Sequence, residues 1–150
     1  MYLPHPSYRD SVKVLKTETL GQMRISAQRI FVKNREDPDP LDPAVSFWKG
    51  YDSSLSMYQL FCIQEFIDRG GPNDMLPLIS VVPRREGAPP SLGDPKFHLS
   101  QKSILVSTDP AYKRAFGSIE YLWYEYWPHM ERGGTDEENK LREGTASFTF

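Results

Sequence analysis

Between Asp42-Pro43 and Gly70-Gly71-Pro72 the chain runs from Ala44 to Arg69 without a proline, and apolar residues such as Val45, Trp48, Tyr51, Leu55, Tyr58 and Cys62 cover most of a helical circumference. A helix that is apolar on several sides must be covered on several sides, so this segment predicts a central helix with the rest of the fold built around it. Gly50 marks a candidate break. The four-residue spacing of Tyr58, Cys62 and Phe66 predicts one buried stripe along it.

The segments around this helix are also helical in pattern. Ser7 followed by Asp10 has capping-box character and predicts a short helix over residues 8–16. Thr19 with Gln22 repeats the signature, and Leu20, Met23, Ala27, Ile30 and Phe31 then recur at helical spacing to about Lys33. Three prolines at 38, 40 and 43 remove amide donors and make residues 37–43 a loop, with a helix starting at Pro43. Asp94-Pro95 supplies a cap and a first helical position for a helix reaching about Val106, and Asp109-Pro110 starts another short one.

Elsewhere the pattern is weaker. Residues 75–82 form an apolar run that periodicity assigns to neither helix nor strand. Residues 83–95, rich in Pro and Gly, read as a long surface loop. Residues 119–127 carry a dense aromatic run ending at Pro128 and predict a core-covering segment, with base stacking as the alternative. The expected fold is therefore all-α: one compact helical domain over residues 1–130, then a polar and mobile tail over 131–150 that is a candidate contact for a protein partner.

At 150 residues the chain can bury a core without disulfide or metal staples, and Cys62 has no second cysteine to pair with. No charged-then-apolar leader precedes the first helical pattern and no apolar run is long enough to span a bilayer, so a cytoplasmic protein, in a bacterial or phage-infected cell, is expected. Eighteen Lys and Arg stand against 20 Asp and Glu, a formal net charge of -2, so any nucleic-acid face has to be a local basic patch. Much of the acidity is segregated, at 36–42 and again beyond residue 131.

Arg24 carries the strongest chemical signal, because at 100° per residue it falls beside Leu20, Ala27 and Phe31 on the edge of the apolar face. A guanidinium there either snorkels to the surface, or is paired internally with a carboxylate such as Asp52 or Glu65, or is held as an anion clamp whose planar fork matches phosphate or carboxylate oxygens. His98 and Lys102, one turn apart near the start of the 95–106 helix, with Ser100 and Ser103 on the same element, form a second set of candidate phosphate ligands; a solvated amphipathic helix is the alternative. The three His lie far apart with no Cys beside them, so neither a metal set nor a cofactor is expected. The sequence holds no phosphate-binding glycine loop and no nucleophile elbow.

Three stretches taken in order carry a family likeness: residues 20–27 (Leu-Gly-Gln-Met-Arg-Ile-Ser-Ala), residues 42–51 (Asp-Pro-Ala-Val-Ser-Phe-Trp-Lys-Gly-Tyr), and Gly93-Asp94-Pro95-Lys96-Phe97-His98 followed by Asp109-Pro110-Ala111-Tyr112. Their succession resembles bacterial and phage members of the pyrimidine-dimer DNA glycosylase (endonuclease V-like) superfamily, over residues 3–128. The resemblance implies a compact helical domain that displaces a base and attacks the sugar with its N-terminal amine, here that of Met1, assisted by a carboxylate on the second helix. That carboxylate falls at Ser26, which holds no charge beside a developing cationic sugar, and bulky Tyr2 follows Met1 where the lesion-cleaving enzymes have a small terminal residue.

Loss of a positioned acid or base costs about 100-fold to 10,000-fold in rate. The expected function is accordingly binding of DNA or of a phosphorylated small molecule through Arg24, His98, Lys102, Ser100 and Ser103, with catalysis lost or weakened, as in a phage protein that sequesters a nucleotide signal of host defence. The alternatives are an active DNA glycosylase or abasic-site lyase using the Met1 amine, and a structural or protein-interaction module.

Overall fold

The structure, a computed structural model, describes residues 1–80, 87–119 and 121. Every regular element among them is helical: α1 (Tyr8–Val14), α2 (Thr17–Glu36), α3 (Pro43–Ser46), α4 (Asp52–Asp68), α5 (Pro95–Thr108), a 3-10 turn (Pro110–Tyr112) and α6 (Lys113–Phe116). The all-α expectation is met. The tail over 131–150 and most of the aromatic run over 119–127 lie outside the described residues, as does part of the 75–82 run. Residues 75–80 form neither helix nor strand.

Helix starts follow the short polar residues of the sequence. Ser7 accepts from the Asp10 amide, and Asp42, Asp94 and Asp109 each accept from the amide two residues on, with proline at the following position in those three cases. α2, α4 and α6 start without a side-chain cap bond; α2 begins at Thr17 with Lys16 as its cap, so the Thr19–Gln22 signature lies inside the helix. Helical backbone runs one turn further back because neither Pro nor Gly intervenes there. The central segment does break at Gly50, whose φ of 82° is in the left-handed region that favours glycine, and the expected single helix is split into short α3 and long α4.

Contacts divide the described residues into two compact units, one of Met1 with those of Ser7–Pro90, the other of Tyr2–Pro6 with those from Ser91 on. In the first, α2 and α4 form the principal helix pair, with α1 against α4 and α3 against α2. Its centre is aromatic: the Trp48 and Tyr58 rings lie 5.8 Å apart, and Tyr8 approaches them at 5.9 and 5.8 Å. Two cations satisfy helix ends that lack intrahelical partners. Lys49 Nζ donates to the Asn34 and Asp37 carbonyls at the end of α2, and Arg69 donates to those of Lys13 and Leu15 at the end of α1. Tyr58 and Cys62 are fully buried on α4, but Phe66 is only half-buried, so the expected stripe fades over its last turn.

In the second unit α5 carries the core through Phe97, Leu105 and Val106. The N-terminal segment is bonded to it, since the Leu3 amide donates to Gln101 Oε1 at 3.4 Å and the Leu3 carbonyl accepts from His98.

Candidate functional site

Helical geometry sets Arg24 on the inner side of α2, as its place beside Leu20 and Ala27 requires, and its side chain is 8% exposed. It lines a cavity of about 390 Å³ whose other walls come from α4 (Leu60, Ile63, Phe66, Ile67) and from residues 72–78. Apolar side chains dominate those walls; Asn73, Asp74 and Arg24 are the polar members.

The guanidinium meets two partners. Nη1 donates to Asp74 Oδ1 at 2.5 Å, and the guanidinium carbon stands 4.3 Å from the centroid of the Phe66 ring. Nε is buried and has no hydrogen-bond partner. The bond from Arg24 holds the Asp74 carboxyl below its ordinary pKa, which favours the carboxylate. Asp74, not Asp52 or Glu65, is thus the partner of Arg24, and Glu65 is bonded instead to Arg69 at 2.9 Å.

Phe66 reaches this position because two glycines leave room. A β-carbon at Gly21 would stand 3.2 Å from the ring, and one at Gly71 would stand 2.5 Å from it. Gln59, fully buried on α4, fixes the opposite side: Nε2 donates to the Arg24 and Pro77 carbonyls at 3.1 and 3.3 Å, and Oε1 accepts from the Ile79 amide at 3.0 Å. Sequence reasoning found Arg24 but missed Gln59, Asp74 and Phe66 as its surroundings. A signal for Gln59 was present, as a polar side chain on the apolar face between Leu55 and Cys62.

The other expected phosphate ligands belong to α5, in the second unit. His98 is buried and both ring nitrogens are engaged by backbone: Nε2 accepts from the Gly93 amide at 2.8 Å, so Nδ1 carries the proton and donates to the Leu3 carbonyl at 2.7 Å. Burial lowers the pKa of this imidazole and the Lys102 charge adds to the effect, against the opposing influences of the Leu3 carbonyl and Asp94. Ser100 and Ser103 are buried, and Ser103 Oγ donates to the Leu99 carbonyl at 2.9 Å. Lys102 is half-buried, with Nζ 5.8 Å from the Phe116 centroid.

Met1 belongs to the first unit, and the charge of the terminal ammonium favours ionisation of Cys62. Burial outweighs that influence and the bond from Tyr58, pushing the thiol up to about 12. Ser26 on α2 is half-buried. Among the described residues no group of three or more His, Cys, Asp or Glu could hold a metal ion, and no helix is long and apolar enough to cross a membrane.

A buried guanidinium with an unused donor beside an apolar cavity can hold a molecule that has an anionic end and an apolar or flat body. No family model, no curated protein and no solved structure matches the chain, so the glycosylase resemblance rests on the three sequence stretches alone.

Proposed function

We propose that this chain is a non-catalytic binder of a phosphorylated ligand of nucleotide character, held with its phosphate on Arg24 and its base among the apolar walls formed by α4 and residues 72–78. The observation that carries the reading is the Arg24 side chain itself, 8% exposed at the cavity, with one charged partner and an Nε that has none. Burying an ion with its hydrogen bonds unfilled is costly, and a phosphate brings enough oxygens to fill them. The cavity, about 390 Å³, falls within the ordinary range for small-molecule sites.

The resemblance to the pyrimidine-dimer DNA glycosylase superfamily supports a nucleotide-like ligand, and Ser26 in place of a carboxylate supports binding without cleavage. Sequestration of a phosphorylated signal is the role such a site would fill. Arg24 and the α2–α4 cavity carry this reading; His98 has both ring nitrogens committed to backbone groups.

Calorimetry of the full chain against linear and cyclic nucleotides and a short DNA duplex tests it. A nucleotide should bind, and Arg24→Ala should weaken it by about 1.5 to 3 kcal/mol, the range for hydrogen bonds to charged groups. Arg24→Lys should also lose affinity, since a point charge does not reproduce a fork. Absence of binding to every ligand, or binding indifferent to Arg24, overturns the proposal; tight binding of the duplex alone would make DNA the ligand. Borohydride trapping of a covalent complex with abasic duplex, abolished by blocking the terminal amine, would restore the enzyme.

A further inference from the structure

We propose that Asp74 is an internal competitor for the anion position of the Arg24 cavity: a carboxylate that every incoming anion must replace, so that it sets a threshold cleared by a ligand, such as a phosphate, that offers Arg24 more than it does. This inference rests on the reading of the cavity as a phosphate site.

Three observations support it. Asp74 engages Arg24 through a single oxygen and a single nitrogen, and leaves the buried Nε without a partner. A carboxylate bound side-on would satisfy two donors of the fork. The Asp74 side chain is 48% exposed against 8% for Arg24, so it can withdraw into water while the guanidinium cannot.

The chain carrying Asp74 is fastened at both ends. The Gly71 amide donates to the Phe66 carbonyl at 2.9 Å, and beyond Asp74 the buried Gln59 holds Pro77 and Ile79. Among the described residues, 72–76 make no backbone–backbone hydrogen bond. Met75, next to Asp74, has a φ of 52°, the left-handed region that an L side chain disfavours, and the residue is 87% exposed. The backbone is therefore not at its own preference while Asp74 reaches Arg24, and local rotation over 72–76 releases the carboxylate without disturbing the helices.

The threshold follows from the exchange. A monocarboxylate replaces one carboxylate by another of equal charge, so its gain is at most the second donor reached by a side-on fit. A phosphate monoester has three terminal oxygens and up to two charges, which reach Nε and the terminal nitrogens of Arg24 together. The competitor subtracts similar amounts from both ligands, and the phosphate retains the larger surplus.

The test is binding of phenyl phosphate and benzoate, which share an apolar ring and differ in the anion, to the full-length wild type, Asp74→Asn, Asp74→Ser and Arg24→Ala, each with its helical circular dichroism and Tm recorded. The wild type should bind phenyl phosphate and prefer it to benzoate by about tenfold or more, the scale of one charge-assisted bond. Both Asp74 variants should bind both probes more tightly and by similar factors, because the competitor is subtracted equally from each, while the preference stays where Arg24 sets it. If phenyl phosphate binds through Arg24 but neither Asp74 variant tightens binding, Asp74 is no competitor and the phosphate reading stands without it. If no folded variant binds either probe, the phosphate reading falls and this inference falls with it.

Discussion

The side-chain amide of Gln59 donates to the carbonyl oxygen of Arg24 at 3.1 Å, tying α4 to α2 at the residue that carries the cavity's positive charge. The same carboxamide accepts from the Ile79 amide and donates to the Pro77 carbonyl, so one fully buried side chain joins two helices and an irregular segment. Such a group is valuable only while every bond is made, because each polar atom left unpaired keeps its desolvation cost.

Gln59→Leu preserves much of the volume and removes all three bonds, stranding the Ile79 amide. The expected loss is about 1 to 3 kcal/mol in urea unfolding, with faster hydrogen exchange at Ile79 than at amides in the middle of α2. An unchanged midpoint with Ile79 still protected would show that the carboxamide does not hold the segment.

The helices were legible in the sequence because their causes are local. Asp42, Asp94 and Asp109 before proline mark helix starts, and Gly50 marks the break, whatever the chain does elsewhere. Arg24 was legible as well, because helical periodicity alone puts it on the apolar edge. Its partner was not, since Asp74 lies in a stretch with no period and meets Arg24 from fifty residues away. His98 shows the same limit: a histidine near a helix start reads as an anion ligand until Leu3 and Gly93 are seen to occupy both nitrogens. Phe66 continued the spacing of Tyr58 and Cys62, but α2 presents Gly21 and Arg24 there, and the ring becomes a cavity wall.

Gly71 is required by that ring. A β-carbon there would stand 2.5 Å from Phe66, closer than packed atoms allow, so Gly71→Ala must displace the ring and with it the face on which Arg24 rests. The expected cost is about 1 to 3 kcal/mol. Pairing Gly71→Ala with Phe66→Leu, which shortens the obstructing group, should recover part of it. Equal stability of Gly71→Ala and the wild type would show that the ring is not held there.

Cys62 should be inert in the folded chain. Its thiol is fully buried and pushed up to about 12, so the reactive thiolate is scarce at pH 8 and shielded as well. Labelling with an aromatic disulfide at pH 8 should be slower than in urea-unfolded protein by on the order of a thousandfold. Native labelling within tenfold of the unfolded rate would contradict the burial of the middle of α4.

His98 makes the stability of the fold depend on pH. Its imidazole is neutral in the fold because Nε2 accepts from the Gly93 amide, and protonation there would set two donors against each other. Burial, the first cause, and the Lys102 charge both lower its pKa. The unfolded chain has the ordinary histidine value of about 6.5 and so takes up its proton first as pH falls. A group with a depressed folded pKa contributes stability that is fully present above the unfolded value and is lost on acidification until the folded value is passed. Stability should therefore be level above about pH 7 and decline from about pH 6.5 downward. His98→Asn, whose amide can still donate to the Leu3 carbonyl, should start lower at pH 7.5 and decline less between pH 6.5 and 5. Urea midpoints at pH 7.5, 6.5, 5.5 and 5 for both proteins give the comparison, and nitrogen NMR of the ring gives the folded pKa and should show the proton on Nδ1. A folded pKa at or above 6.5, or parallel declines in the two proteins, would mean that His98 is not the neutral clamp between Leu3 and Gly93.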